Sequence, residues 1–232
     1  MFYYFDIDFA LRSKLETKEL PIEMLNIQPF AQHTLEYENW FTANKYVYQS
    51  ELAAVRHFIP TAKIGVEIGV GSGQFGAPLR ISIGIDPSQS MLALAKKRTL
   101  TVARAVGESL PFPDNSMDFA LMVTSVCFFN DIDSAFAEAN RILKPAGRLI
   151  IGFVDKDSAL GKIYLKKKHE NVFYQSATFY SVDEIIACLK RNGFHSFAII
   201  QTVFGDLKSI QHTQQFQSGS GDGGFVVINA ER

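Results

Sequence analysis

The residues of this chain best placed by type and spacing to hold a ligand run from Val66 to Gly76, Val-Glu-Ile-Gly-Val-Gly-Ser-Gly-Gln-Phe-Gly. An acidic residue near the end of an apolar run is followed by glycines at every second position. Glycine lets the backbone turn sharply and lets a ligand lie against the main chain with no β-carbon between. At the carboxyl end of a strand, such a loop occupies the place where open α/β sheets bind ligands. Two registers fit: Gly71, Gly73 and Gly76 spell G-x-G-x-x-G, whereas Glu67, Gly69, Gly71 and Gly73 spell E-x-G-x-G-x-G.

The surroundings separate the two. A dinucleotide site calls for an acidic residue about 20 positions further on, and Asp86 stands only 13 after Gly73. Between them, Gln74–Arg80 contains Pro78 and is too short for the full helix whose N-terminus would hold a diphosphate. The Glu67 carboxylate suits a cationic or amino-bearing ligand better. A nicotinamide-dependent redox reading is therefore the weaker one. No G-x-S-x-G or C-x-x-C occurs, and the five His are scattered without metal spacing, so no metal is expected.

The elements that must position this loop follow from the apolar pattern. Phe41, Tyr48, Leu52, Val55 and Ile59 share one helical face within 34–58, and Pro60 closes the run. Strands are expected at 63–68, 81–85, 101–105, 119–124, 148–154, 196–203 and 225–229. Helices are expected at 88–98, with Ser88 as N-cap, at 132–143, and after a Ser181/Glu184 capping box up to Asn192-Gly193. Gly147 is placed for the turn after the middle helix. This alternation argues for a doubly wound α/β sheet. The run 218–224 reads as a flexible connection, or as a mobile lip over a pocket.

Five segments, taken in order, resemble the class I S-adenosylmethionine-dependent methyltransferases, in particular the methyltransferase type 11 branch. They are VEIGVGSGQF (66–75), GIDPSQSMLALAKKR (84–98), GESLPFPDNSMDFALM (107–122), EANRILKPAGRLII (138–151) and YSVDEIIACLKRNGF (180–194). The resemblance covers residues from about 35 to 232. It implies a Rossmann-like, doubly wound, mostly parallel seven-stranded sheet with helices on both faces and an N-terminal helical extension. It implies S-adenosylmethionine as cofactor and S-adenosylhomocysteine as product. Glu67, Gly69, Gly71 and Gly73 would line the methionine half, Asp86 would accept the ribose hydroxyls, and Met91 would pack on the adenine. Thr124, with Ser125, matches the position beside the reactive methyl. The family often carries an Asp two residues before the Glu of A-E-x-L-P, where this chain has Val106, so Glu108 or neighbouring backbone is expected to hold the adenine instead.

The activity implied is methyl transfer to a small-molecule N, O or C acceptor. The alternative is a non-catalytic S-adenosylmethionine-binding module, a sensor or partner subunit. If a general base is needed, Tyr37 and His33 are the candidates, because the first helix commonly covers the cofactor in this family. Residues 1–32 read as an extension of unassigned role, and 33–232 as one domain with a covering helix at 33–60. An insertion at 155–180 reads as a lid bearing Tyr164, Phe173, Tyr174, Phe179 and Tyr180, with a basic run at 166–169.

Composition fits an ordinary globular chain of 232 residues, 47% hydrophobic and 20% charged. A net charge of −1 gives no general attraction to nucleic acid or anionic membranes. No apolar run is long enough to span a bilayer, and the acidic start at Asp6 and Asp8 is unlike a secretory signal. With Cys127 and Cys188 far apart and in apolar stretches, a reduced, cytoplasmic protein is expected.

Overall fold

A computed structural model describes residues 28–232. The order of elements is α1 (Gln28–Gln32), α2 (Thr34–Ala43), α3 (Lys45–Phe58), β1 (Gly65–Ile68), α4 (Gly76–Leu79), β2 (Ile83–Asp86), α5 (Gln89–Lys97), β3 (Thr101–Arg104) and β4 (Met117–Val123). It continues through α6 (Ile132–Ile142), β5 (Leu143–Val154), α7 (Ala159–Lys166), α8 (Val182–Arg191), β6 (His195–Thr202), β7 (Gln217–Ser218) and β8 (Phe225–Glu231), with short 3-10 turns between.

The strands form one sheet in the order β3-β2-β1-β4-β5-β8-β6-β7. β1 to β5 are parallel to one another, whereas β8 runs antiparallel between β5 and β6. The chain reverses direction across the sheet at β1, since β2 and β3 lie to one side and β4 and β5 to the other. That switch point is where doubly wound sheets open a crevice at the carboxyl ends of their strands.

Alternation along the central strands divides two cores. Ala120 and Met122 of β4 join Leu149 and Ile151 of β5 beneath α6 and α8. Phe119, Leu121 and Val123 face the other way, toward α2 and α3. Strands buried on both faces read as continuous apolar runs, as these do. Phe136 of α6 is fully buried in the first core, so truncation to Ala would cost about 3–5 kcal/mol.

Three regions depart from the sequence expectations. The run 34–58 is two helices rather than one: Asn44 leaves helical geometry, and its side-chain amide donates to the Trp40 carbonyl, a local bond that competes with helix continuation. The apolar face survives the break, with the Phe41 and Tyr48 rings 5.1 Å apart. After α6 the chain enters β5 directly, and Ala146, not Gly147, takes the left-handed conformation at φ 60. Gly147 is needed for space, since a β-carbon there would lie 2.7 Å from the Lys144 carbonyl oxygen. Finally, 218–224 begins in β7, a strand beyond the seven expected, and is pinned by the Gln201 side chain, which accepts from the Asp222 and Gly223 amides. The Ser88 cap and the Ser181/Glu184 capping box are present as expected.

Candidate functional site

The glycine loop leaves β1 with Gly69, Gly71 and Gly73 at φ 78, 51 and 85, a region that side-chain-bearing residues enter only at a cost. A β-carbon on Gly69 would lie 2.5 Å from that of Ser125, whose hydroxyl donates to the Ile68 carbonyl. One on Gly73 would press on Leu100 and Ala95, beside α5. The loop is thus wedged between β4 and α5, with its Gly69–Gly71 main chain facing a cavity.

That cavity, about 830 Å³, lies over the carboxyl ends of the central strands, within the range of about 300–1,000 Å³ usual for ligand pockets. Seven of the residues assigned to the cofactor from sequence line it: Gly69, Gly71, Asp86, Met91, Glu108, Thr124 and Ser125. Of the two base candidates, Tyr37 is on the wall. His33 is not; its Nδ1 lies 3.0 Å from the Glu36 carboxylate.

Glu67 and Gly73 are also off the wall. Glu67 is 2% exposed, close to Gly76, and its Oε2 has no hydrogen-bond partner among the described residues. Burial pushes its carboxyl well above the ordinary range; the Gly76 amide opposes the shift and the Asp86 charge adds to it.

Asp86 ends β2 at the floor of the cavity. Its Oδ2 accepts from the Gly71 amide at 2.9 Å and its Oδ1 from the Ser88 amide at 2.8 Å. Burial raises its pKa to about 6, against the pull of both amides. Each carboxylate oxygen keeps acceptor capacity beyond one such bond, so the group can still receive a diol. Met91, 1% exposed, lies on the next turn. Val106 pairs with Ser109 in a single bridge, and Glu108 Oε1 accepts the Asn130 and Asp131 amides. Glu108 therefore fastens the loop ahead of α6. Gly107 is fitted against Phe129, whose ring would be 2.7 Å from an added β-carbon.

Thr124, at the end of β4, has φ 51. A β-branched residue in this region is an outlier costing roughly 1–3 kcal/mol, and here it falls where β4 ends on the cavity wall. Val203, near the wall residue Gly205, shares the conformation.

The α2 helix closes one side. The Tyr37 hydroxyl lies above Gly71, and burial, with the Asp86, Glu67 and Glu38 charges, pushes the phenol pKa far above its usual value. Glu38 meets Arg98 at 2.5 Å and accepts from the Gln74 side chain at 3.2 Å, while Arg98 also donates to the Ser72 carbonyl at 2.9 Å. These bonds latch α2 to the glycine loop and to α5. No sequence pattern pairs residues 60 positions apart, and Glu38 and Arg98 escape a reading of the sequence for that reason. The wall segment Gly205–Lys208 escapes it likewise, being a loop without periodicity.

No group of three or more potential metal ligands occurs among the described residues. Nor does the wall pair a nucleophile with a base. The arrangement is suited to holding two ligands in line rather than to supplying a reactive side chain. It also fits S-adenosylmethionine: glycines where a β-carbon would intrude, a carboxylate with spare acceptor capacity at a strand end, and an apolar side at Met91.

Comparison with known proteins bears on the same residues. Residues 66–151 match a family model described as a methyltransferase domain. An uncharacterized protein of Methanocaldococcus jannaschii is 41% identical over 203 residues, which is 88% of this chain and 98% of that one. The crystal structure of a SAM-dependent methyltransferase of Thermotoga maritima, described as a possible histamine N-methyltransferase, is 43% identical with a TM-score of 0.87, covering 89% of this chain and 99% of that one. Phosphoethanolamine N-methyltransferase 2 of Haemonchus contortus, in complex with S-adenosyl-L-methionine, shares the fold at 19% identity and a TM-score of 0.57, over 78% of this chain and 52% of that one.

Proposed function

This chain belongs to the S-adenosylmethionine-dependent methyltransferases, and we propose that it transfers a methyl group to a small-molecule N, O or C acceptor bound in the far half of the cavity. The observation that carries this reading is the convergence of the glycine loop, Asp86 and Thr124 on one cavity of about 830 Å³ whose wall also includes Trp40, Tyr164 and Leu207. A binding-only module has no use for that additional lining.

When bound, S-adenosylmethionine supplies a methyl group activated by its positively charged sulfur. Asp86 accepts the ribose hydroxyls, and Met91 with Val106 flanks the adenine. The Gly69–Gly71 main chain lies along the amino-acid portion, and Glu67 supports the loop from behind. Glu108 contributes by fixing the chain at Asn130, and Thr124 sits beside the transfer point. Tyr37 covers the loop and excludes water; its raised pKa makes it a hydrogen-bond donor rather than a base.

The segment 155–180 forms the lid, with Phe173 against Phe30 of α1 at 5.2 Å between ring centroids. The histamine description of the Thermotoga relative supports an amine among the acceptors. No helix among the described residues is long and apolar enough to cross a membrane.

Calorimetric titration with S-adenosylmethionine, S-adenosylhomocysteine and NADH, repeated on Asp86→Ala, tests the cofactor. Micromolar binding of both adenosyl ligands, lost in the variant, is expected. Binding of NADH alone would overturn the reading.

A further inference from the structure

Apart from the residues assigned to the cofactor, the cavity wall has a composition of its own. Trp40, Phe128, Tyr164 and Tyr174 line this part. Phe128 and Tyr174 lie nearly parallel, at 10° and 6.4 Å between centroids, and Tyr164 follows at 5.2 Å from Tyr174. Its charges are those of Glu36, Glu170 and Asp206 against Lys167 and Lys208, and the whole described wall contains no Arg and no His.

An acceptor bearing a carboxylate or phosphate is matched best by a guanidinium or several converging amides; here no guanidinium lines the wall, and the two lysines, Lys167 and Lys208, are outnumbered by the three carboxylates of Glu36, Glu170 and Asp206. A polyhydroxylated acceptor calls for a dense set of polar side chains, where rings stand instead. Ring faces carry negative potential and attract cations, Trp most strongly. Carboxylates at the rim add to that potential.

We propose that the acceptor is a small amine on a compact apolar body, drawn in as its ammonium ion and held on the ring faces of Trp40, Tyr164 and Tyr174. This rests on the methyl-transfer reading and narrows its acceptor to nitrogen. The ammonium first gives its proton to solvent, because only the free amine has a lone pair. That lone pair then forms the N–C bond as the C–S bond breaks, and the released electron pair stays on sulfur. The positive charge lost by sulfur appears on the methylated nitrogen, so atoms and charge balance without a further reactant.

Trp40 is the only tryptophan of the chain, which gives a readout independent of turnover. The intrinsic fluorescence of the full chain, saturated with S-adenosylhomocysteine, is to be titrated with phenethylamine, with 2-phenylethanol and with 3-phenylpropionate. The same three are offered with S-adenosylmethionine in a mass-spectrometric assay for added methyl. The amine is expected to change the Trp40 emission saturably and to gain a methyl group, and the alcohol and acid to do neither. Tyr174→Leu should weaken amine binding about tenfold, as loss of a desolvated cation–ring contact would. Tyr174→Phe, which keeps the ring, should restore it, and neither variant should alter S-adenosylhomocysteine affinity.

Methylation of the alcohol or acid with no response to the amine would overturn the amine assignment and leave methyl transfer standing. Adenosyl binding with no response to any of the three would also overturn it. Absence of adenosyl binding would sink the methyl-transfer reading and this inference together.

Discussion

The hydroxyl of Tyr37 stands over the main chain of Gly71, so close that a β-carbon on Gly71 would lie 3.3 Å from the phenol oxygen. The helix α2 and the glycine loop are therefore fitted to each other at the position where a ligand must share the space. Gly71→Ala forces a side chain into φ 51, a cost of about 1–2 kcal/mol, and pushes the methyl group toward Tyr37. S-adenosylhomocysteine affinity should fall at least about tenfold by calorimetry, the factor that 1.4 kcal/mol represents. Unchanged affinity would mean that the ligand does not lie along this stretch of main chain.

The latch between Glu38 and Arg98 leads to a kinetic expectation. The side chains are 22% and 31% exposed, so the pair is screened and contributes only about 1 kcal/mol to stability. Its larger effect is on how long α2 stays seated on the loop. Arg98→Met keeps the aliphatic stem but loses both the ion pair and the bond to the Ser72 carbonyl. The dissociation rate of S-adenosylhomocysteine in stopped-flow should rise about fivefold, with association little changed. An equal change in both rates, or none in dissociation, would remove α2 from the control of release.

If Asp86 holds the cofactor ribose as proposed, the site has a pH dependence. Burial places its pKa at about 6 in the free protein, and only the carboxylate accepts from two ribose hydroxyls. Binding should hold steady above pH 7 and weaken as pH falls through 6, by about tenfold at pH 5. The same shift acts on stability with the opposite sense: a carboxyl whose pKa is raised on folding stabilises the protein below its unfolded value, and that contribution is lost as pH rises through 6. A calorimetric series from pH 5 to 8 checks this. Asp86→Asn should bind more weakly throughout and show no inflection near 6.

The glycine loop, Asp86, Met91 and the central strands were legible because each is a local pattern. Turn chemistry marks the loop, strand-end position marks Asp86, and uninterrupted apolar runs mark the strands, while Met91 was implied by the family resemblance of the segment 84–98. What escaped was decided by contacts across the fold. The break at Asn44 lies within an apolar face that continues through it, so periodicity from Phe41 to Ile59 gave no warning. Glu67 carries the family signature but is turned behind the loop toward Gly76, since alternation on β1 puts it opposite Val66 and Ile68 and their core. The ring-bearing residues of 155–180 were visible as a group. That they share one cavity with Trp40 of α2 depends on contacts across the fold, and no spacing in the sequence encodes that.

Glu51 was also hidden, being, with Ser50, one of two polar residues buried on α3. It is 5% exposed, and burial alone lifts its pKa from 4.5 to about 8. Tyr48, Tyr164 and Tyr174 all feel its charge. A folded-state pKa above the unfolded one means that the native state binds the proton more tightly. Glu51 is therefore tolerated best below pH 4.5, and its contribution turns progressively destabilising as pH rises from there through 8. Glu51→Gln holds the neutral shape at every pH. Urea unfolding between pH 5 and 9 should show the wild type losing stability relative to Glu51→Gln, by a few kcal/mol at the alkaline end. Glu67, buried in the same sense, contributes to the slope of both proteins and cancels in the difference. Parallel curves for the two would mean that Glu51 is ionised at neutral pH, with a partner or solvent reaching it.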